Sequence, residues 1–106
     1  MTRVGFSADD LKLIVEGHAE SGPAGEDLVC AGCSVLWLTV EEALCGTKDR
    51  AERMRPLFFR DKGVRRVICC PEQDAADECR TILQTAAIGY EALAVSFPKY
   101  VNYMEL

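Results

Sequence analysis

Hydrophobic and polar positions alternate at the start of the chain. Thr2–Ser7 predicts a short strand, and Asp9-Asp10 predicts a turn. Leu11, Leu13 and Val15 then alternate with Lys12, Ile14 and Glu16, a period of two with one clearly apolar face. Together these runs predict a hairpin. Gly17 ends it, and Gly17, Gly22, Pro23 and Gly25 make residues 17–27 a loop by composition.

The period then changes. Val29, Cys33, Leu36, Val40 and Leu44 step by four, three, four and four, which predicts a helix over residues 28–44 with one stripe toward a core. Asp27 stands where an N-cap belongs and Gly46 where a helix stops. Residues 47–55 are charged and read as a solvated connector with room for one helical turn. Apolar runs at 57–60 and 64–70, joined by Asp61-Lys62-Gly63, predict a second hairpin, with Pro56 at a strand start or edge. Ile82, Leu83, Ala86, Ala87, Tyr90, Leu93, Ala94 and Phe97 predict a long helix ended by Pro98, despite Gly89. Residues 100–106 add a last strand. The order ββαββα(β) implies an α+β fold: a single two-layer domain over residues 1–106, with a mainly antiparallel sheet of four to five strands and two principal helices on one face.

Length fits that reading, since 106 residues suffice for one core and not two. Seventeen acidic against twelve basic residues give a net charge of −5, which disfavours non-specific nucleic-acid binding and suits a basic partner. No apolar run approaches the roughly 18–20 residues that cross a bilayer, and the first residues lack the apolar core of a signal peptide. The expectation is a cytoplasmic protein that contacts neither membrane nor nucleic acid.

Six cysteines would suggest three disulfides in a secreted domain. Without an export signal, and with Cys69 and Cys70 adjacent, the expectation is six thiols instead. Cys69 and Cys70 fall at a strand end, one facing in and one out.

Candidate chemistry centres on His18, the single histidine, and on Cys30 in the first turn of the first helix. Unpaired N–H groups at a helix start carry partial positive charge that favours a thiolate, and they can receive an oxyanion. A nearby imidazole could take the thiol proton and later protonate a leaving amine. Each piece also has a plain structural reading: Cys30 as a small buried residue, His18 as a turn residue, Asp27 as a cap. Ser34 lies one turn beyond Cys30 on the same helix face.

At these residues the sequence resembles a known family. Gly17-His18-Ala19, then Gly25-Glu26-Asp27-Leu28-Val29-Cys30-Ala31, then Ser34, is similar to the signature of the ribosomal-processing cysteine proteases called Prp. That signature reads approximately G-H-A, a short loop, then G-x-D-I-V-C-A-x-x-S. Phe97-Pro98-Lys99 also matches the family near its end. The resemblance implies a bacterial cysteine endopeptidase that removes the N-terminal extension of a large-subunit ribosomal protein, with no cofactor or metal. It implies Cys30 as nucleophile, His18 as general base, and Gly17, Asp27 and Ser34 as supporting residues. It further implies a homodimer, and a loop at residues 19–26 that moves when substrate binds. The sequence departs from the family in lacking an aromatic residue in Glu20-Ser21-Gly22-Pro23-Ala24, and in its additional cysteines.

Two other readings remain open from the residues alone. Cys30-Ala31-Gly32-Cys33 is a C-x-x-C at a helix start, as in thiol redox modules, although Cys33 falls on the apolar stripe. Cys30, Cys33, Cys69, Cys70 and His18 could supply a structural zinc in a small binding module, although adjacent Cys69-Cys70 lacks the usual spacer.

Overall fold

The structure is a computed structural model, and it describes residues 1–17 and 27–106. His18 and the loop at 19–26 lie outside the described residues. The strands are β1 (Thr2–Ser7), β2 (Lys12–Glu16), β3 (Pro56–Asp61), β4 (Val64–Cys69) and β5 (Val101–Glu105). The helices are α1 (Leu28–Cys45), α2 (Lys48–Met54) and α3 (Ala76–Ser96), the last preceded by a 3-10 turn at Gln73–Ala75.

The five strands form one mixed sheet in the order β3-β4-β2-β1-β5. Three pairings are antiparallel, and β5 runs parallel to β1, closing the edge that the first hairpin would otherwise leave open. The expected α+β architecture is therefore present, with a mixed sheet and a third helix. A parallel last strand requires a crossover, and α3 supplies it. The connector at 47–55 is α2, capped by Thr47, whose side chain accepts the Arg50 amide, and ended at Arg55 with φ +46°. Its Met54 is fully buried, which gives that charged segment its anchor.

One sheet face carries Val4, Phe6, Leu13, Val15, Val67, Cys69 and Val101, all buried with side chains from the helices in one core. Leu11, the first residue of the expected apolar alternation, sits in the turn at φ +51° and is still buried. The opposite face keeps Leu57 and Phe59 exposed, with the Arg66 guanidinium 4.8 Å from the Phe59 ring centre.

α1 buries Val29, Cys33, Trp37, Val40 and Leu44. Trp37 thus takes a core position that the apolar stripe assigned to Leu36, which is only half-buried. Its indole N–H donates to Glu41 Oε1 at 2.6 Å, and its ring meets Phe58 edge-on at 6.4 Å. That hydrogen bond lets a large polar-tipped ring enter the core without an unpaired donor. With 18 residues and a mean hydropathy of 1.6, α1 is long and apolar enough to cross a membrane by length and composition, contrary to the expectation that no apolar run approaches that length. It includes Glu41 and Glu42, and its apolar stripe is spent on the sheet and α3. α3 lies close against it: a Cβ on Gly89 would come within 2.7 Å of Leu36. The glycine that weakens α3 locally is what lets the two helices approach.

Candidate active site

Asp27 is the N-cap of α1, and its Oδ1 accepts the Cys30 amide at 2.9 Å while its carbonyl accepts the Ala31 amide at 3.0 Å. Cys30 is therefore the third residue of the helix, half-buried, with its own N–H already taken. This revises the expected oxyanion site. A helix start leaves its first amides without intrahelical partners, and among the described residues those still free are at Leu28 and Val29.

A cavity of about 360 Å³ opens beside this helix start. Gly17, Cys30 and Ser34 all line it, so three of the four described residues singled out from sequence meet in one place. Asp27 acts from outside the cavity, by fixing the turn that carries Cys30. Gly17 has φ +87°, and a Cβ there would fall 2.3 Å from the Met1 carbonyl oxygen, so no other residue fits. Its amide donates to the Gly63 carbonyl at 2.7 Å, tying the end of β2 to the tip of the β3–β4 hairpin.

No sequence motif marks the cavity's other walls. Thr2 and Val15 come from the first hairpin, and Arg60, Asp61, Gly63, Val64 and Arg65 from the second. One signal was present: Arg65, Val67 and Cys69 share a strand phase, so a charged residue occupies the inward-facing series of β4.

Cys33 lines the same cavity but belongs to the core, with 8% of its surface exposed. Burial, then the neighbouring Cys30 and Asp27, push its thiol up to about 11. A thiolate is correspondingly scarce at Cys33 near neutral pH. The Cys33 carbonyl accepts the Tyr90 hydroxyl at 2.9 Å, locking α1 to α3 directly behind the site. Burial raises the Tyr90 hydroxyl's titration, partly opposed by nearby Arg65. All six cysteines are free thiols; Cys69 is buried and Cys70 exposed, as their place at the end of β4 predicts. Among the described residues, no group of three or more Cys, His, Asp or Glu is placed to hold a metal ion.

Comparison with known proteins gives the family and the fold. The family described as cysteine protease Prp matches residues 1–102. An essential ribosomal processing protease Prp from S. aureus, solved with a covalently linked product peptide, superposes with a TM-score of 0.83 at 24% identity, covering 100% of both chains. The same protease with a substrate peptide gives 0.73 at 23% identity, again over 100% of both chains. A Streptococcus mutans protein gives 0.68 at 20% identity, covering 99% of this chain and 91% of that one. At these identities the structural likeness establishes the fold. No curated protein matches the sequence.

Proposed function

This chain belongs to the cysteine protease Prp family, and from that premise we propose that it removes the N-terminal extension of a bacterial large-subunit ribosomal protein. The observation that carries the reading is the meeting of Cys30, Ser34 and Gly17 at one cavity beside a capped helix start. The S. aureus relative, a ribosomal processing protease solved with substrate and product peptides, supports the choice of substrate.

In this reading Cys30 is the nucleophile and His18 the general base. His18 takes the thiol proton, and the thiolate sulfur attacks the scissile carbonyl carbon. The carbonyl oxygen becomes an oxyanion, for which the amides of Leu28 and Val29, without an intrahelical partner among the described residues, are the helix-start donors. Collapse breaks the C–N bond, and the imidazolium returns its proton to the departing amine. Water, deprotonated by His18, then hydrolyses the thioester and frees Cys30. Asp27 holds the first turn, Gly17 lets β2 end against the hairpin, and Ser34 contributes a hydroxyl to the cavity wall. The enzyme acts in the cytoplasm as a homodimer, with residues 1–106 forming one protease domain and no cofactor required.

The test is mass spectrometry of a ribosomal-extension peptide incubated with wild type, Cys30→Ala and His18→Ala. A single defined cut by wild type, none by Cys30→Ala, and a rate about 10²–10⁴-fold lower for His18→Ala is expected. Cleavage by Cys30→Ala near the wild-type rate would overturn the assignment of the nucleophile.

A further inference from the structure

The β3–β4 hairpin sets two arginines in the wall of the Cys30 cavity. Arg60 and Arg65 are direct cross-strand partners, and Arg65 also sits opposite Val15 of β2. Val15 and Val67 are buried in the core, so the register turns both arginines toward the helix-covered face. Like charges directly opposite each other on neighbouring strands repel.

One of the two is neutralised. Glu41 of α1, already accepting the Trp37 indole, also accepts Arg60 Nη2. The other is left over: Arg65 is half-buried, and among the described residues its guanidinium makes no hydrogen bond or ion pair. Asp61, the carboxylate lining the same cavity, accepts the Lys62 amide. A partly desolvated guanidinium without a partner is costly to hold. Its planar fork of N–H donors matches a carboxylate in bidentate fashion. The Arg65 guanidinium thus stands in the wall of the cavity that Cys30 also lines.

We propose that Arg65 is a substrate-binding residue that recognises a carboxylate of the cleaved peptide. The inference rests on the reading of Cys30 as the nucleophile, because the cavity is shared. Two carboxylates have this chemistry: an acidic side chain close to the scissile bond, and the C-terminal carboxylate that hydrolysis creates on the released N-terminal fragment. The first would set specificity, and the second would retain product.

Matched extension peptides with Glu or Gln at each position near the cut separate these sources from one another when compared with the N-terminal fragment as free acid or amide. The fragments are also bound to the Cys30→Ala protein by calorimetry, so that this arm does not depend on turnover. Wild type should prefer Glu over Gln in kcat/KM at one position, or free acid over amide in affinity, by about tenfold. Arg65→Gln should lose that preference, its Glu-to-Gln ratio in kcat/KM or its acid-to-amide ratio in affinity falling to about one, while keeping its melting temperature. Arg65→Lys, which retains charge without the fork, should keep part of it. Should Arg65→Gln fold poorly, Arg65→Lys and the wild-type comparisons still decide. Equal discrimination in wild type and variants, or none in wild type, overturns the role of Arg65 and leaves the protease reading standing. No cleavage of any extension peptide by wild type, together with no binding of either fragment, overturns both.

Discussion

The Asp27 carboxylate accepts the amide hydrogen of Cys30 at 2.9 Å, so the residue that starts α1 also fixes the backbone of the residue proposed to do its chemistry. Cap and nucleophile are three residues apart because that is the reach of an N-cap side chain to the third helical amide. Local helix-forming chemistry and site geometry are here the same interaction. Asp27→Ala should therefore lower stability by about 1 kcal/mol, and Asp27→Asn should recover most of it. Denaturant unfolding of the three proteins checks this; equal losses for Ala and Asn would mean that the cap is not what Asp27 contributes.

Gly17 and Gly32 predict opposite responses to the same substitution. At Gly17 an alanine would have to hold φ +87° and set its Cβ 2.3 Å from the Met1 carbonyl. Gly17→Ala should destabilise by more than about 1 kcal/mol from backbone strain alone and should distort the cavity. Gly32 lies inside α1, where a Cβ would meet Leu93 at an ordinary 3.6 Å. Gly32→Ala should stabilise by about 0.5–1 kcal/mol. Thermal unfolding of both variants gives the comparison, and a stabilised Gly17→Ala would contradict the geometry around that residue.

Cys33 predicts an alkaline limit to stability. Its thiol is raised from 9.0 to about 11 by burial first and by the charges of Cys30 and Asp27 second, so folding favours the neutral form. A group whose folded value lies above its unfolded one contributes fully below the unfolded value and loses that contribution as pH rises toward the folded value. The stability difference between wild type and Cys33→Ala should therefore be constant below pH 9 and shrink between pH 9 and 11. Urea unfolding at stepped pH measures it; parallel curves across that window would show that Cys33 does not titrate differently on folding.

The elements were legible in the sequence wherever a local period was strong. β1 occupies the Thr2–Ser7 span that the pattern predicts, and α1 begins directly after Asp27 as its cap residue predicts. The connector at 47–55 was harder, because α2 is short and charged and only buried Met54 ties it to the core. The local pattern does not place Trp37, because an indole can sit at a rim or in a core. The Glu41 carboxylate, one turn along, is what permits the core position here. The parallel pairing of β5 with β1 joins residues about a hundred positions apart, and no local pattern carries that information.

What the sequence determined by itself was the local machinery: a strand ending in glycine, then a capped helix start with Cys30 in its first turn and Ser34 one turn on. Those relations are set by backbone sterics and hydrogen bonds that act over a few residues. What only the tertiary structure decided is the rest of the cavity, which the second hairpin brings from some thirty positions away. The sheet register places Arg60 opposite Arg65, and α1 neutralises only the first of them. That choice depends on which strand pairs with which and on where Glu41 comes to rest, and both are fixed by burial of the shared core.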